Sequence, residues 1–388
     1  MNKTNLLRIL LVAVVYLLAS GISYKVLSSV SVPGVSSPIA APKVEDNGKL
    51  SFDQNLPKTQ PCPLNGAKYS KQQEQWWQKH RPLGVMIENH AESRPQSGLS
   101  SADVVYEAVA EGGITRFLAV FYCQDAGQIA PVRSARTYFI DFLSEYGNSP
   151  LYAHVGGANQ SGPANAIGQL ADYGWRLYND LDQFSNIPFP IFRRDEDRLD
   201  RPVATEHTMS STTLQLWDYA AKNRKLGYED EDGVSWDEEF VEYSFKDEES
   251  KGVKKTIHVE FWRADNNYFV DWAYDPATNA YARNNGGKPQ LDKNNNKQLV
   301  AKNLVILFMQ ESRANDGYEN NVHLLYKTKG TGKAAIFMDG EDIAGTWKKD
   351  SRTGRTIVRD SSGKEIEFNR GLIWFHIVPA QTGIAKVQ

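Results

Sequence analysis

The chain has 388 residues, of which 41% are apolar and 23% charged, the composition of a globular protein and a length that suggests two domains. Its 44 basic and 47 acidic residues leave a formal net charge of −3, so no overall basicity points to nucleic acid as a partner. Nine Trp, 18 Tyr and 16 Phe supply the bulk for substantial cores.

In chain order, residues 9–24 carry no charged side chain, and the apolar stretch 6–27 is long enough to cross a hydrocarbon layer of roughly 30 Å. Lys3 and Arg8 lie at its start, and Lys25 is the only basic residue from there to Lys43. That asymmetry predicts a single-pass anchor with a cytoplasmic N-terminus and everything after it outside. A cleaved secretory signal, with small residues Ala19-Ser20-Gly21 at the cut, is the alternative for residues 1–27, and it exports the same remainder. Gly21 stands where a lipid-bearing cysteine would be needed, which excludes lipid attachment at that point. Residues 28–60, rich at first in Ser, Pro and Gly and without apolar periodicity, read as a flexible stalk. For an exported chain, Cys62 and Cys123 make one candidate disulfide; the alternative is two unrelated buried thiols.

Short apolar runs at 83–87, 104–109, 117–122 and 151–155 read as strands, and the spacing of apolar residues over 134–146 and 158–173 as helices. This alternation predicts an α/β domain over 61–225, a mixed sheet with helices. An acidic linker follows at 226–239. Over 240–388, strand-like segments alternate with turn signals such as Asn285-Gly286-Gly287 and Asp339-Gly340, which predicts a mainly antiparallel β domain. Lys329-Gly330-Thr331-Gly332-Lys333 lacks the spacing of a phosphate-binding loop and reads as a hairpin turn.

The block Arg81-Pro82-Leu83-Gly84-Val85-Met86-Ile87-Glu88-Asn89 resembles the start of the YerB-like family of bacterial envelope lipoproteins. So do Arg94-Pro95-Gln96-Ser97-Gly98-Leu99, Glu111-Gly112-Gly113-Ile114-Thr115-Arg116-Phe117 and Pro131-Val132-Arg133-Ser134-Ala135-Arg136, in the family's order. The segment from Gly345-Thr346-Trp347 to Pro379 is similar to the family's second domain. The resemblance implies two domains and an envelope location, and it names no reaction, because the family is one of unknown function. The missing lipid-bearing cysteine leaves anchoring here to the apolar segment.

The densest polar group lies where a loop enters a helix. Arg133 and Arg136, with Ser134 as N-cap, offer an anion site, and Arg116 and Arg94 can converge on the same mouth. The alternative pairs these arginines with Glu88, Asp103, Glu107 or Glu111 to fix loops. His90, His154 and His207 fall near strand or loop ends, yet their spacing matches no metal motif, so neither metal nor cofactor is expected. His154 is the best acid–base candidate, and Glu88, Asp103, Glu107 and Glu111 are the carboxylates from which a glycosidase-like pair could come. Ser134 has no nucleophile elbow around it. These features predict a membrane-tethered envelope protein that binds an anionic ligand, a cell-wall polymer or an envelope protein through its arginine-rich face. The alternative is a phosphotransferase or hydrolase acting on an anionic cell-wall glycan or its lipid pyrophosphate carrier.

Overall fold

Strand β1 (Leu83–Glu88) is buried along its whole length, as its apolar run requires of a strand covered on both faces. The computed structural model describes residues 40–388 apart from 46–47, 186 and 263–264. The expected anchor or signal over 1–27 lies outside the described residues, among which no helix is long and apolar enough to cross a membrane. The described part of the expected stalk is not featureless. Lys43–Val44 pairs with Leu50–Ser51, and Lys58–Pro61 pairs with Lys68–Ser70.

The first segment supplies β1, β2 (Val104–Glu111), β3 (Ile114–Phe121), β4 (Leu151–His154) and β5 (Asp180–Asp182). Its helices are α1 (Lys71–Trp77), α2 (Thr137–Leu143), α3 (Ala166–Asp172) and α4 (Thr213–Arg224). Ser70 and Gln73 form a capping box on α1, and the Thr212 side chain caps α4. Helix α2 begins later than its apolar spacing predicts, because Arg136 is still extended (φ −138°, ψ 146°) and is itself the N-cap. Ser134 is therefore not the cap. Helix α3 likewise starts only after Asn165, whose side chain accepts from the Gly168 N–H. A Cβ at Gly84 would lie 2.6 Å from Leu143, so α2 packs directly on the β1 backbone.

The second segment supplies β6 (Lys255–Glu260), β7 (Val270–Asp275), β8 (Ala280–Asn285), β9 (Asn303–Met309), β10 (Gly330–Met338), β11 (Glu341–Lys349), β12 (Ile357–Asp360), β13 (Ile373–Pro379) and β14 (Ile384–Val387). Lys329-Gly330-Thr331-Gly332-Lys333 thus runs straight into β10 and is no hairpin turn. The hairpin comes after it, where Asp339 and Gly340 have φ of 56° and 73° and join β10 to β11.

The two segments share one sheet. Ten strands run in the order β5-β4-β1-β3-β2-β13-β9-β10-β11-β12. β13 pairs parallel with β2 on one side, Ile373 opposite Val104, and parallel with β9 on the other. The mixed first part is as its alternation predicts. The later part is mostly strand, but the parallel β13–β9 pair departs from a purely antiparallel domain. A second, antiparallel sheet, β8-β7-β6-β14, packs on the first through Trp272 and Trp374, whose rings lie 5.1 Å apart.

Behind the first sheet, His80 is buried with its ring stacked on Trp217 at 4.0 Å and edge-on to Trp76 at 4.6 Å. Its Nε2–H donates to the Tyr122 carbonyl at 3.1 Å, and burial drives the imidazole down to about 3. An unfolded chain protonates this ring near 6.5, so the neutral ring's contribution is complete above that pH and is lost as pH falls from about 6.5 toward 3. Between pH 7 and pH 5 the loss is about 2 kcal/mol. Urea unfolding of wild type and His80→Phe at both pH values checks this. The variant should lose about 2 kcal/mol less over the interval, and equal losses would assign the acid limb to other groups.

Candidate functional site

β1, β4 and β5 run parallel and end on the same side, with Glu88, His154 and Asp182 at their carboxyl ends. Polar groups collect beyond such ends because the connecting loops there leave a crevice. Glu88 is buried and held twice: Oε1 lies 3.3 Å from the Arg133 Nε, and Oε2 accepts from the His207 Nδ1–H at 2.8 Å. The hydrogen bond to Glu88, outweighing partial burial, raises the His207 imidazole above its ordinary value. Arg133 also donates to the Glu206 carbonyl at 3.2 Å.

Arg116 and Arg136 are neutralised as well. Arg116 pairs with Glu111 at 3.2 Å and donates to the Ser134 carbonyl at 2.9 Å. Arg136 pairs with the same Glu111 and donates to the Ala135 carbonyl at 2.6 Å. Burial holds both guanidiniums below their ordinary values. Loop-fixing thus engages Arg133, Arg136 and Arg116, and Ser134 enters only through its carbonyl.

His154 is fully buried between two acceptors, with Nε2 2.6 Å from Asp180 and Nδ1 2.7 Å from the Gly156 carbonyl. Burial alone would lower its imidazole, but Asp180 and Asp182 raise it, and Arg176 bridges those carboxylates at 2.7 and 3.0 Å. This closed network gives His154 no face toward a solute. Asp103 and Glu107 are interior groups too. Asp103 accepts from the Tyr122 and Cys123 N–H groups at 2.7 and 2.9 Å, beside the Cys62–Cys123 disulfide, and burial pushes its carboxyl up to about 7. Glu107 accepts from Arg283 and Thr115, both at 2.9 Å, and from the Trp374 indole at 3.2 Å.

Arg94 has a different setting. It donates to the Asn89 side chain and carbonyl at 3.1 and 3.0 Å and to the Asn267 carbonyl at 2.9 Å, and its guanidinium lies 5.2 Å from the Tyr268 ring centre. All these acceptors are uncharged. Burial lowers this guanidinium to about 10. Arg94 lines a cavity of about 330 Å³ together with Arg201, Lys288, Asn267, Asn285 and Gln290, and none of the lining residues is acidic. Arg201 and Lys288 were not singled out in the sequence, since both sit in loop-like stretches without a motif.

A second convergence joins residues far apart in the chain. The rings of His90 and His207 stack at 4.8 Å with 16° between their planes, and the His207 Nε2 lies 3.8 Å from a Glu92 carboxylate oxygen. The only sequence signal for it is the local pair His90-x-Glu92.

A family model described as "Protein of unknown function (DUF3048) N-terminal domain" matches residues 67–227, and one described as "Protein of unknown function (DUF3048) C-terminal domain" matches residues 257–375. The Bacillus subtilis protein named "Putative lipoprotein YerB" is 30% identical over 323 residues, 82% of this chain and 86% of its own length. The crystal structure of YerB from Bacillus subtilis is similar with a TM-score of 0.67 at 25% identity, over 84% of this chain and 100% of the crystallised one.

Proposed function

Since the chain belongs to the two-domain, YerB-like DUF3048 family, we propose that it is a membrane-tethered protein of the bacterial envelope that binds an anionic ligand in the cavity beside Arg94. The lipoprotein naming of its Bacillus subtilis relative supports the envelope setting, and the uncharged apolar run 9–24 supports a membrane tether. The cavity carries the ligand reading. Three cationic side chains, Arg94, Arg201 and Lys288, meet at a concave site whose other polar lining is amide, with no lining carboxylate to neutralise them. Fixed amides and cations of this kind suit the phosphate or carboxylate groups of an envelope glycan.

The test is a binding isotherm of the full-length protein with a phosphate-bearing wall polymer. Lys288→Ala leaves Arg94 and the Arg201 hydrogen bonds to the Glu92 and Arg94 carbonyls in place and should weaken binding about tenfold, close to 1.4 kcal/mol. Added salt should weaken the wild-type complex in the same direction. Equal affinities for wild type and variant would remove this cavity from the binding surface.

A further inference from the structure

We propose that His90, Glu92 and His207 form a binding site for a first-row divalent cation such as Zn²⁺, with Glu88 orienting His207 from behind. The ligands come from three places that the fold brings to one point. His90 follows the end of β1, Glu92 sits in the short 3₁₀ turn Ala91–Ser93, and His207 closes the 3₁₀ turn Thr205–His207. One ligand atom from each lies within 4.8 Å of the other two. Bonds of about 2.0–2.2 Å to a common ion need these atoms slightly closer. Glu92, with its side chain 65% exposed, is free to make that movement.

Hydrogen bonding prepares His207 as a ligand. Its Nδ1–H donates to Glu88 at 2.8 Å, which in the neutral ring leaves Nε2 as a bare lone pair. In that neutral form Nε2 faces a Glu92 oxygen at 3.8 Å, so an ion that displaces the Nε2 proton of the charged ring would find two acceptors across a gap of the right order. The stacked His90 ring brings a third ligand alongside, and its Nδ1 accepts a long 3.3 Å bond from the Glu92 N–H. A carboxylate behind the imidazole is the arrangement that fixes tautomer and ring orientation at metal centres, and Glu88 is in turn held by Arg133 at 3.3 Å. Two imidazoles and one carboxylate suit zinc and its first-row neighbours better than calcium or magnesium, which prefer oxygen.

Three protein ligands leave a tetrahedral ion one open position. Arg201 donates to the Glu92 carbonyl at 2.7 Å, and Ala91 and Arg94 line the basic cavity, so the cluster lies beside it. Completion of the coordination sphere by an anion in that cavity rests on the proposed function. Binding of the ion itself does not.

The experiment titrates Zn²⁺ alone, by calorimetry, into chelator-stripped full-length protein without an affinity tag. Wild type should bind one Zn²⁺ per chain, Glu92→Gln and His90→Asn should bind at least about tenfold more weakly, and Glu88→Gln about 10–100-fold more weakly. Thermal melts of the metal-free variants confirm folding, and exposed Glu92 makes Glu92→Gln the variant least exposed to a folding artefact. Absence of saturable one-to-one binding in wild type overturns the proposal. So does unchanged affinity in Glu92→Gln and His90→Asn. No anionic ligand is used, so failure here is distinct from failure of the wall-polymer isotherm.

Discussion

Arg283→Met is expected to destabilise the protein by about 3–5 kcal/mol, the effect of leaving a buried partner charge uncompensated. Arg283 and Glu107 are both fully buried, their charged atoms 2.9 Å apart. The Arg283 Nε also donates to Gln290 at 2.6 Å, and its guanidinium carbon lies 4.5 Å from the Trp374 ring centre and 5.1 Å from that of Trp272. Met fills much of the volume and removes the cation. Glu107 would then keep the Thr115 hydroxyl and the Trp374 indole but no paired cation, since burial holds the neighbouring His376 well below its ordinary value. Arg283→Met/Glu107→Gln should recover more than half of the loss, because the uncompensated charge goes too. Urea unfolding followed by tryptophan fluorescence measures all three proteins. A loss below about 1 kcal/mol in the single variant would mean that Glu107 is protonated or hydrated in the folded chain.

Removing the Cys62–Cys123 bridge with Cys62→Ala/Cys123→Ala is expected to lower stability by about 4 kcal/mol in the chain-entropy model. The cysteines are 61 positions apart, and the bridge ties the Lys58–Pro61/Lys68–Ser70 hairpin to the chain just beyond β3. Asp103 braces that junction through the Tyr122 and Cys123 N–H groups. A reductant should shift the wild-type urea midpoint toward that of the variant and leave the variant unmoved. Coincident midpoints for oxidised wild type and variant would show that Tyr69 and Trp77, whose rings meet at 5.8 Å, hold the hairpin without the bridge. A bridge of this kind belongs to an oxidising compartment, which fits an exported chain.

Local patterns made β1, β2 and β3 legible, because a buried strand needs an apolar run and these runs have few other uses. Apolar spacing does not locate the helix starts where backbone conformation overrides it, as at extended Arg136 and in the stretch before Asn165, which holds Gly162 at φ 137° and Pro163. Strand partnership was not legible at all. Apolar periodicity says that residues 373–379 form a strand and not that they enter the first segment's sheet. The same limit applies to the site. Arg94 could be picked out from its loop, whereas the Arg133–Glu88 and Arg136–Glu111 pairs and the meeting of His90 with His207 exist only in three dimensions.

The place of β13 has a consequence for how the molecule is made. A ribosome or an export channel delivers the chain from its N-terminus, so β2 emerges long before its neighbour on that side. Until residues 373–379 arrive, the eight residues of β2 present an unpaired edge to whatever lies nearby. Half-made or prematurely terminated chains therefore carry a sticky border and are expected to be drawn into aggregates or degraded. A protein that lacks the second segment would inherit the same open edge, so the first segment is not expected to stand alone.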